Sequence, residues 1–129
     1  MNFPRTAVSA LRITLFVTLF AVNYLAFTDQ DIPAINQVSD KLRHAFAFAV
    51  LAFLVDFSFP ASRFGIVKIL LLLGYGAAIE AVQYFLPYRE ASGWDLLADA
   101  AGIAAYLLSI PVLKRAPWFR LRWQAVAAP

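Results

Sequence analysis

Cysteine is absent from the 129 residues. That excludes disulfides, thiolate metal sites, thioether-linked haem and cysteine nucleophiles together. Charge is scarce as well: 15% of residues are Asp, Glu, Lys or Arg, whereas 62% are hydrophobic and the mean hydropathy is +0.70. Water-soluble domains carry about a quarter charged and about half apolar residues, so the composition excludes a soluble globular fold and points to a membrane protein. No internal repeat or low-complexity tract interrupts the chain, and the short alternating segments that build a β-barrel do not occur. The metal signature His-Glu-x-x-His is missing too, and neither a metal nor a cofactor is expected. Length adds a bound: a span takes roughly 20 residues, so the chain accommodates at most about five spans and no large extramembrane domain.

What is present is four apolar runs of near-bilayer length, at 8–27, 42–59, 66–86 and 95–113. Loop punctuation separates them: Asp29-Gln30-Asp31-Ile32-Pro33, then Pro60-Ala61-Ser62, then 87–93 with a proline at one end and a glycine at the other. The first run sits beside Arg5 and Arg12, as a secretory signal would. A cleavable signal, however, has an apolar core of roughly 7 to 15 residues and a small-x-small exit, and the exit here is Asn23-Tyr24-Leu25-Ala26-Phe27-Thr28. The expectation is an all-α membrane protein, a bundle of four transmembrane helices in a single domain over 1–116, followed by a basic aromatic tail over 117–129.

Basic residues set the direction of such a bundle, because positively charged loops stay cytoplasmic. Arg5, Arg12, Arg63, Lys68, Lys114, Arg115, Arg120 and Arg122 fall on one side, eight of the 11, and Lys41, Arg43 and Arg89 on the other. Both termini are therefore expected in the cytoplasm. The tail Pro117-Trp118-Phe119-Arg120-Leu121-Arg122-Trp123 interleaves rings and cations, which suits an anionic headgroup layer. Basic residues beside a span are ordinary topology signals, and no nucleic-acid partner is expected.

Polar residues inside the runs carry the functional signal. At 1.5 Å per residue, His44 lies about 6 Å inward from Asp40, Asp99 about 6 Å inward from Asp95, and Glu80 about 9 Å inward from Leu86. Three helices thus bring ionisable groups to similar depth on the outer side. Asp40 and His44 share a face with Lys41 beside it; Glu80, Gln83 and Tyr84 form a second stripe; Asp95 and Asp99 form a third. A charged side chain facing lipid costs roughly 2.5 to 3.5 kcal/mol on insertion scales, so the stripes are expected to face one another across a polar cleft. His44, Glu80 and Asp95 are the candidate catalytic groups, and Asp40, Lys41, Gln83, Arg89 and Asp99 the candidate substrate-binding ones. Helix-start chemistry is the plainer explanation for Asp40, Lys41 and Asp95, and an ion pair with Arg89 or Lys41 the plainer one for Glu80 and Asp99. Asp56, at the opposite end of its helix, is read as neutralising Arg63 or Lys68 and is left outside the site. Gly74, Gly76, Ala98 and Gly102 are expected to let the third and fourth spans approach closely.

Asp40-Lys41-x-x-His44-x-x-x-Phe48, Tyr75-Gly76-x-x-x-Glu80-x-x-Gln83, Pro87-x-Arg89 and Asp95-x-x-x-Asp99-x-x-Gly102 together resemble the VanZ-like family of small bacterial membrane proteins. The resemblance runs over about 40–102, with the first span and the tail outside it. It implies a multi-pass protein of the bacterial plasma membrane with a role in the cell envelope; the family's namesake is associated with low-level resistance to the lipoglycopeptide teicoplanin. The family commonly has Asn where this chain has Asp99, which adds a negative charge here.

Three function classes follow. In the first, an outer-leaflet cleft binds a lipid headgroup or an amphiphile such as a lipoglycopeptide, with Arg89 and Lys41 on an anionic group and Phe85, Tyr88 and Trp94 along the apolar flank. In the second, a membrane-embedded transferase or hydrolase acts on a lipid-linked envelope substrate, using His44 with Glu80 or Asp95 as acid and base. The sequence leaves open whether any reaction is catalysed. A proton-coupled transporter needs polar groups at mid-membrane, and the inner halves of these runs are almost wholly apolar.

Overall fold

The computed structural model describes residues 4–127 and contains six helices and no strand among them. They are α1 (Arg5–Phe27), α2 (Pro33–Asn36), α3 (Asp40–Ser58), α4 (Ile66–Tyr84), α5 (Gly93–Leu113) and α6 (Pro117–Ala127). Prolines and serines set the boundaries. Pro33 stands at the start of α2 and Pro117 at the start of α6, where a missing N–H costs no helical bond. Ser39 Oγ accepts from Leu42 N (3.4 Å) and Ser92 Oγ from Trp94 N (3.3 Å). These serines, rather than Asp40 and Asp95, are the N-caps of α3 and α5, and each aspartate sits in the first turn, where its charge complements the helix dipole.

Helix α3 occupies the centre, packed most extensively against α5 and then α1, while α4 leans on α5. Phe48, Leu51, Ala52 and Leu54 of α3 meet Leu15, Leu72, Ile103 and Tyr106 from the three surrounding helices. Gly102 makes the tightest approach possible: a Cβ there would strike the Ala45 carbonyl oxygen and lie 3.0 Å from Ala49 N. It therefore serves the contact of α5 with α3, not the contact with α4 that its small-residue stripe suggested. Gly76 serves α5 from the α4 side, where a Cβ would strike Asp99 Oδ2.

The outer helices turn large apolar side chains away from the bundle. Ile13, Phe16, Val17 and Phe20 of α1, Leu70 and Leu71 of α4, and Leu108 and Val112 of α5 are all exposed. Belts of this size mark a surface that water does not face. Three helices, α1, α4 and α5, are long and apolar enough to cross a membrane. Helix α3 covers the expected 42–59 run and at 19 residues is about 28 Å long, yet it falls short of that standard because Asp40, Lys41 and Arg43 crowd one end and Asp56 the other. Its central position explains the difference: its apolar middle meets protein, and its charges are paired at both ends.

Candidate functional site

The first turn of α3 presents Asp40, Lys41, Arg43 and His44 together, and α5 places Asp95 and Asp99 one turn apart opposite them. Lys41 Nζ donates to Asp95 Oδ1 and Arg43 Nη2 to Asp40 Oδ1 (2.8 Å). His44 Nδ1 lies 2.8 Å from Asp99 Oδ1, and its Nε2 stands 3.8 Å from Asp95 Oδ2. Both aspartates of α5 are almost wholly buried, at 1% and 0% exposure. The small residue at Gly76 leaves the room that the Asp99 carboxylate fills. Asp99 thus fixes the imidazole ring from within the bundle, and Nε2 is left 3.8 Å from Asp95 Oδ2.

Glu80 reaches the same corner from α4, within electrostatic range of His44, Asp95 and Asp99. Its Oε2 accepts from the backbone N–H of Ser92 (2.8 Å), while Oε1 is buried without a hydrogen-bond partner. Neither Lys41 nor Arg89 pairs with it. Gln83 and Tyr84 do not hold it either, for Gln83 turns to α1 and Tyr84 is 75% exposed.

Gln83 and Arg89, expected to touch a ligand, line a cavity between α1, α3 and α4 and also close the end of α1. Gln83 Nε2 donates to Ala26 O (3.0 Å), Tyr88 Oη to Phe27 O (2.8 Å), and Arg89 Nη2 to Leu25 O and Thr28 O (2.7 Å each). The last carbonyls of a helix have no partner within it, so α4 and the segment after it supply the donors α1 lacks.

Between α1, the 28–36 connector, α3 and α4 lies a cavity of about 590 Å³. Val22, Ala47, Phe48 and Ile79 are among its apolar lining, and Asp29, Asp31, Asp40, Arg43, His44 and Arg89 line its charged part. Of the residues expected along one cleft, Asp40, His44, Gln83, Tyr88 and Arg89 line this cavity. Glu80, Asp95, Asp99 and Lys41 do not line it, and Phe85 and Trp94 are exposed at 80% and 70%. Asp40 and His44 belong to both the cavity wall and the carboxylate cluster.

A family model described as VanZ/LLP1 matches residues 2–114. The chain belongs to the VanZ/LLP1 family. The match extends the resemblance read from 40–102 to include α1, and it stops before α6. No curated protein and no solved structure matches the chain. In this VanZ/LLP1 member, Asp40, Lys41, His44, Asp95 and Asp99, separated by up to 59 positions in sequence, are joined by one network of contacts.

Sequence reasoning missed a second polar cluster at the opposite end. Asp56, fully buried, accepts from Tyr106 Oη (2.6 Å), from Lys68 Nζ (3.3 Å) and from Arg122 Nη2. Arg122 also donates to the carbonyls of Asp56, Pro60 and Ser62. Lys68 was foreseen as a partner of Asp56, but Arg122 was read as a headgroup contact, and it is 0% exposed. Its signal in the sequence is faint: an arginine between Leu121 and Trp123 reads equally as a surface residue.

Proposed function

We propose that this VanZ/LLP1 protein is a four-span protein of the bacterial plasma membrane, with both ends in the cytoplasm, that binds a membrane amphiphile in its α1–α3–α4 cavity. The observation that carries the reading is the composition of the cavity wall, which joins apolar residues such as Val22, Phe48 and Ile79 to the charged Asp29, Asp31, Asp40, Arg43 and Arg89, with His44 beside them. An acyl chain suits the first part and a charged headgroup the second. The volume lies within the usual range of ligand pockets, roughly 300 to 1,000 Å³. The excess of basic residues at the opposite end, among them Arg12, Lys68, Lys114 and Arg115, supports an orientation in which the cavity opens toward the outer leaflet.

Native mass spectrometry of the purified chain tests this, with phosphatidylglycerol as one probe and teicoplanin as the other. One bound amphiphile per chain is expected. Ala47→Trp, which fills the cavity, is expected to weaken binding at least tenfold with the unfolding temperature kept within a few degrees. Undiminished binding by a folded Ala47→Trp protein would remove the cavity from the proposal. One observation favours a membrane-embedded transferase or hydrolase acting on a lipid-linked envelope substrate: His44, ring-fixed by Asp99, borders the cavity as a general base would. Release of a product from the bound probe, abolished in His44→Ala, would establish that second reading.

A further inference from the structure

We infer that Asp40, His44 and Asp95 form a binding site for one divalent transition-metal ion, of the zinc or manganese class. Each of the three residues offers a ligand atom, and those atoms lie within 4.8 Å of one another. Each also has its other polar atom anchored from outside the triad: Asp40 Oδ1 by Arg43, Asp95 Oδ1 by Lys41, and His44 Nδ1 by Asp99. A metal-bound histidine characteristically has its second ring nitrogen held by a carboxylate in this way. What remains is His44 Nε2 with Asp95 Oδ2 at 3.8 Å from it, and Asp40 Oδ2, which stands 3.9 Å from Lys41 Nζ.

An independent observation points to a cation. Asp95 has a side chain only 2% exposed, and its Oδ2 takes part in no hydrogen bond. Two further buried carboxylate oxygens nearby, Asp99 Oδ2, which faces Gly76, and Glu80 Oε1, also have no hydrogen-bond partner. Buried carboxylate oxygens without donors are costly. Charge agrees: the four carboxylates of Asp40, Glu80, Asp95 and Asp99 face the two cations Lys41 and Arg43. With His44 neutral, as a metal ligand must be, carboxylates outnumber cations at this corner, which favours a bound cation. One imidazole with two carboxylates is a mixed nitrogen and oxygen donor set, which suits zinc or manganese better than the all-oxygen preference of calcium or magnesium.

Because Asp40 and His44 also border the cavity, the ion would meet an anionic headgroup entering it. That consequence alone rests on the proposed amphiphile binding; the metal site does not. The test uses the full chain purified in detergent, stripped with a chelator and titrated with Mn²⁺ and Zn²⁺. One equivalent per chain is expected. His44→Ala and Asp95→Asn are expected to weaken binding at least tenfold, and Lys41→Ala to strengthen it, because the lysine competes for the Asp95 charge. Should the variants fail to fold, electron spin echo of Mn²⁺ bound to the unmodified protein still decides the matter: a nitrogen coupling from one imidazole supports the site and its absence overturns it. Equal affinity in a folded His44→Ala protein, or weaker binding in Lys41→Ala, also overturns it. Ala47→Trp blocks the cavity without touching the three ligands, so metal binding retained there separates this inference from the amphiphile reading.

Discussion

Three glycines of the bundle differ in what a methyl group would meet, and that difference predicts their tolerance. At Gly102 a Cβ runs into the Ala45 backbone, which has no flexible end to move. At Gly76 it runs into Asp99 Oδ2 and lies 3.2 Å from Phe48 Cζ, a side-chain collision that would displace the carboxylate holding His44. At Gly74 it meets nothing within 4 Å. Overpacking typically costs about 1–3 kcal/mol, whereas alanine gains roughly 0.5–1 kcal/mol over glycine inside a helix. Thermal unfolding in detergent should therefore rank Gly102→Ala below Gly76→Ala, and both below Gly74→Ala, which should match or exceed the unmodified protein. A Gly102→Ala protein of unchanged stability would contradict the α3–α5 contact. At this scale the sequence was most informative where spacing alone decides. Asp40 with His44, and Asp95 with Asp99, are one turn apart on helices, so their shared faces followed from 3.6 residues per turn. Which face met which was not legible, since it depends on how the helices rotate against one another. That is why the bonds of Gln83 and Arg89 to the end of α1, made while both also line the cavity, were not foreseen.

At the scale of elements, α6 shows where hydropathy reasoning loses resolution. Over 117–127 the rings and cations carry no clear periodicity, and a headgroup-facing tail is the simplest reading of them. In the structure Arg122 reaches the end of α3 and satisfies carbonyls that the break at Pro60 leaves without helical partners. Trp123 and Phe119 pack edge-on against Phe57. Helix ends were legible from prolines and apolar runs; a return contact across 66 positions was not. Removing one member of a buried ion pair costs about 3–5 kcal/mol, because the other is left buried and uncompensated. Arg122→Ala is expected to lower stability by about that much and to open 117–127 to protease. Arg120→Ala, on an exposed residue of the same helix, should change stability by no more than about 0.5 kcal/mol. Equal, small effects of the two substitutions would return Arg122 to the headgroup layer and leave Asp56 to Lys68 and Tyr106.

For the whole molecule, the two polar clusters occupy opposite ends of α3, so a single orientation decides the role of each. Lys41, Arg43 and Arg89 accompany the His44 end, and Arg12, Lys68 and Arg122 the Asp56 end. The charge split favours the Asp56 end inside, but the count is not the whole argument. Arg12, Lys68 and Arg122 spend their donors on Ser58, Asp56, Phe59, Pro60 and Ser62, and a cation paired within the fold has less to offer the headgroups. Lys114 and Arg115, exposed just after α5, then carry more of the signal. The absence of cysteine makes the question directly measurable, since an impermeant thiol reagent reports only the cysteine introduced. Gln30→Cys and Ala91→Cys, in exposed connectors at the His44 end, should label in intact cells. Ser62→Cys and Arg115→Cys should label only after the membrane is permeabilised. A cysteine at Pro129, which lies outside the described residues, should behave as Arg115→Cys does. The reverse pattern would turn the cavity and the His44 cluster toward the cytoplasm, where an extracellular amphiphile has no access, and would require a ligand drawn from the inner leaflet instead.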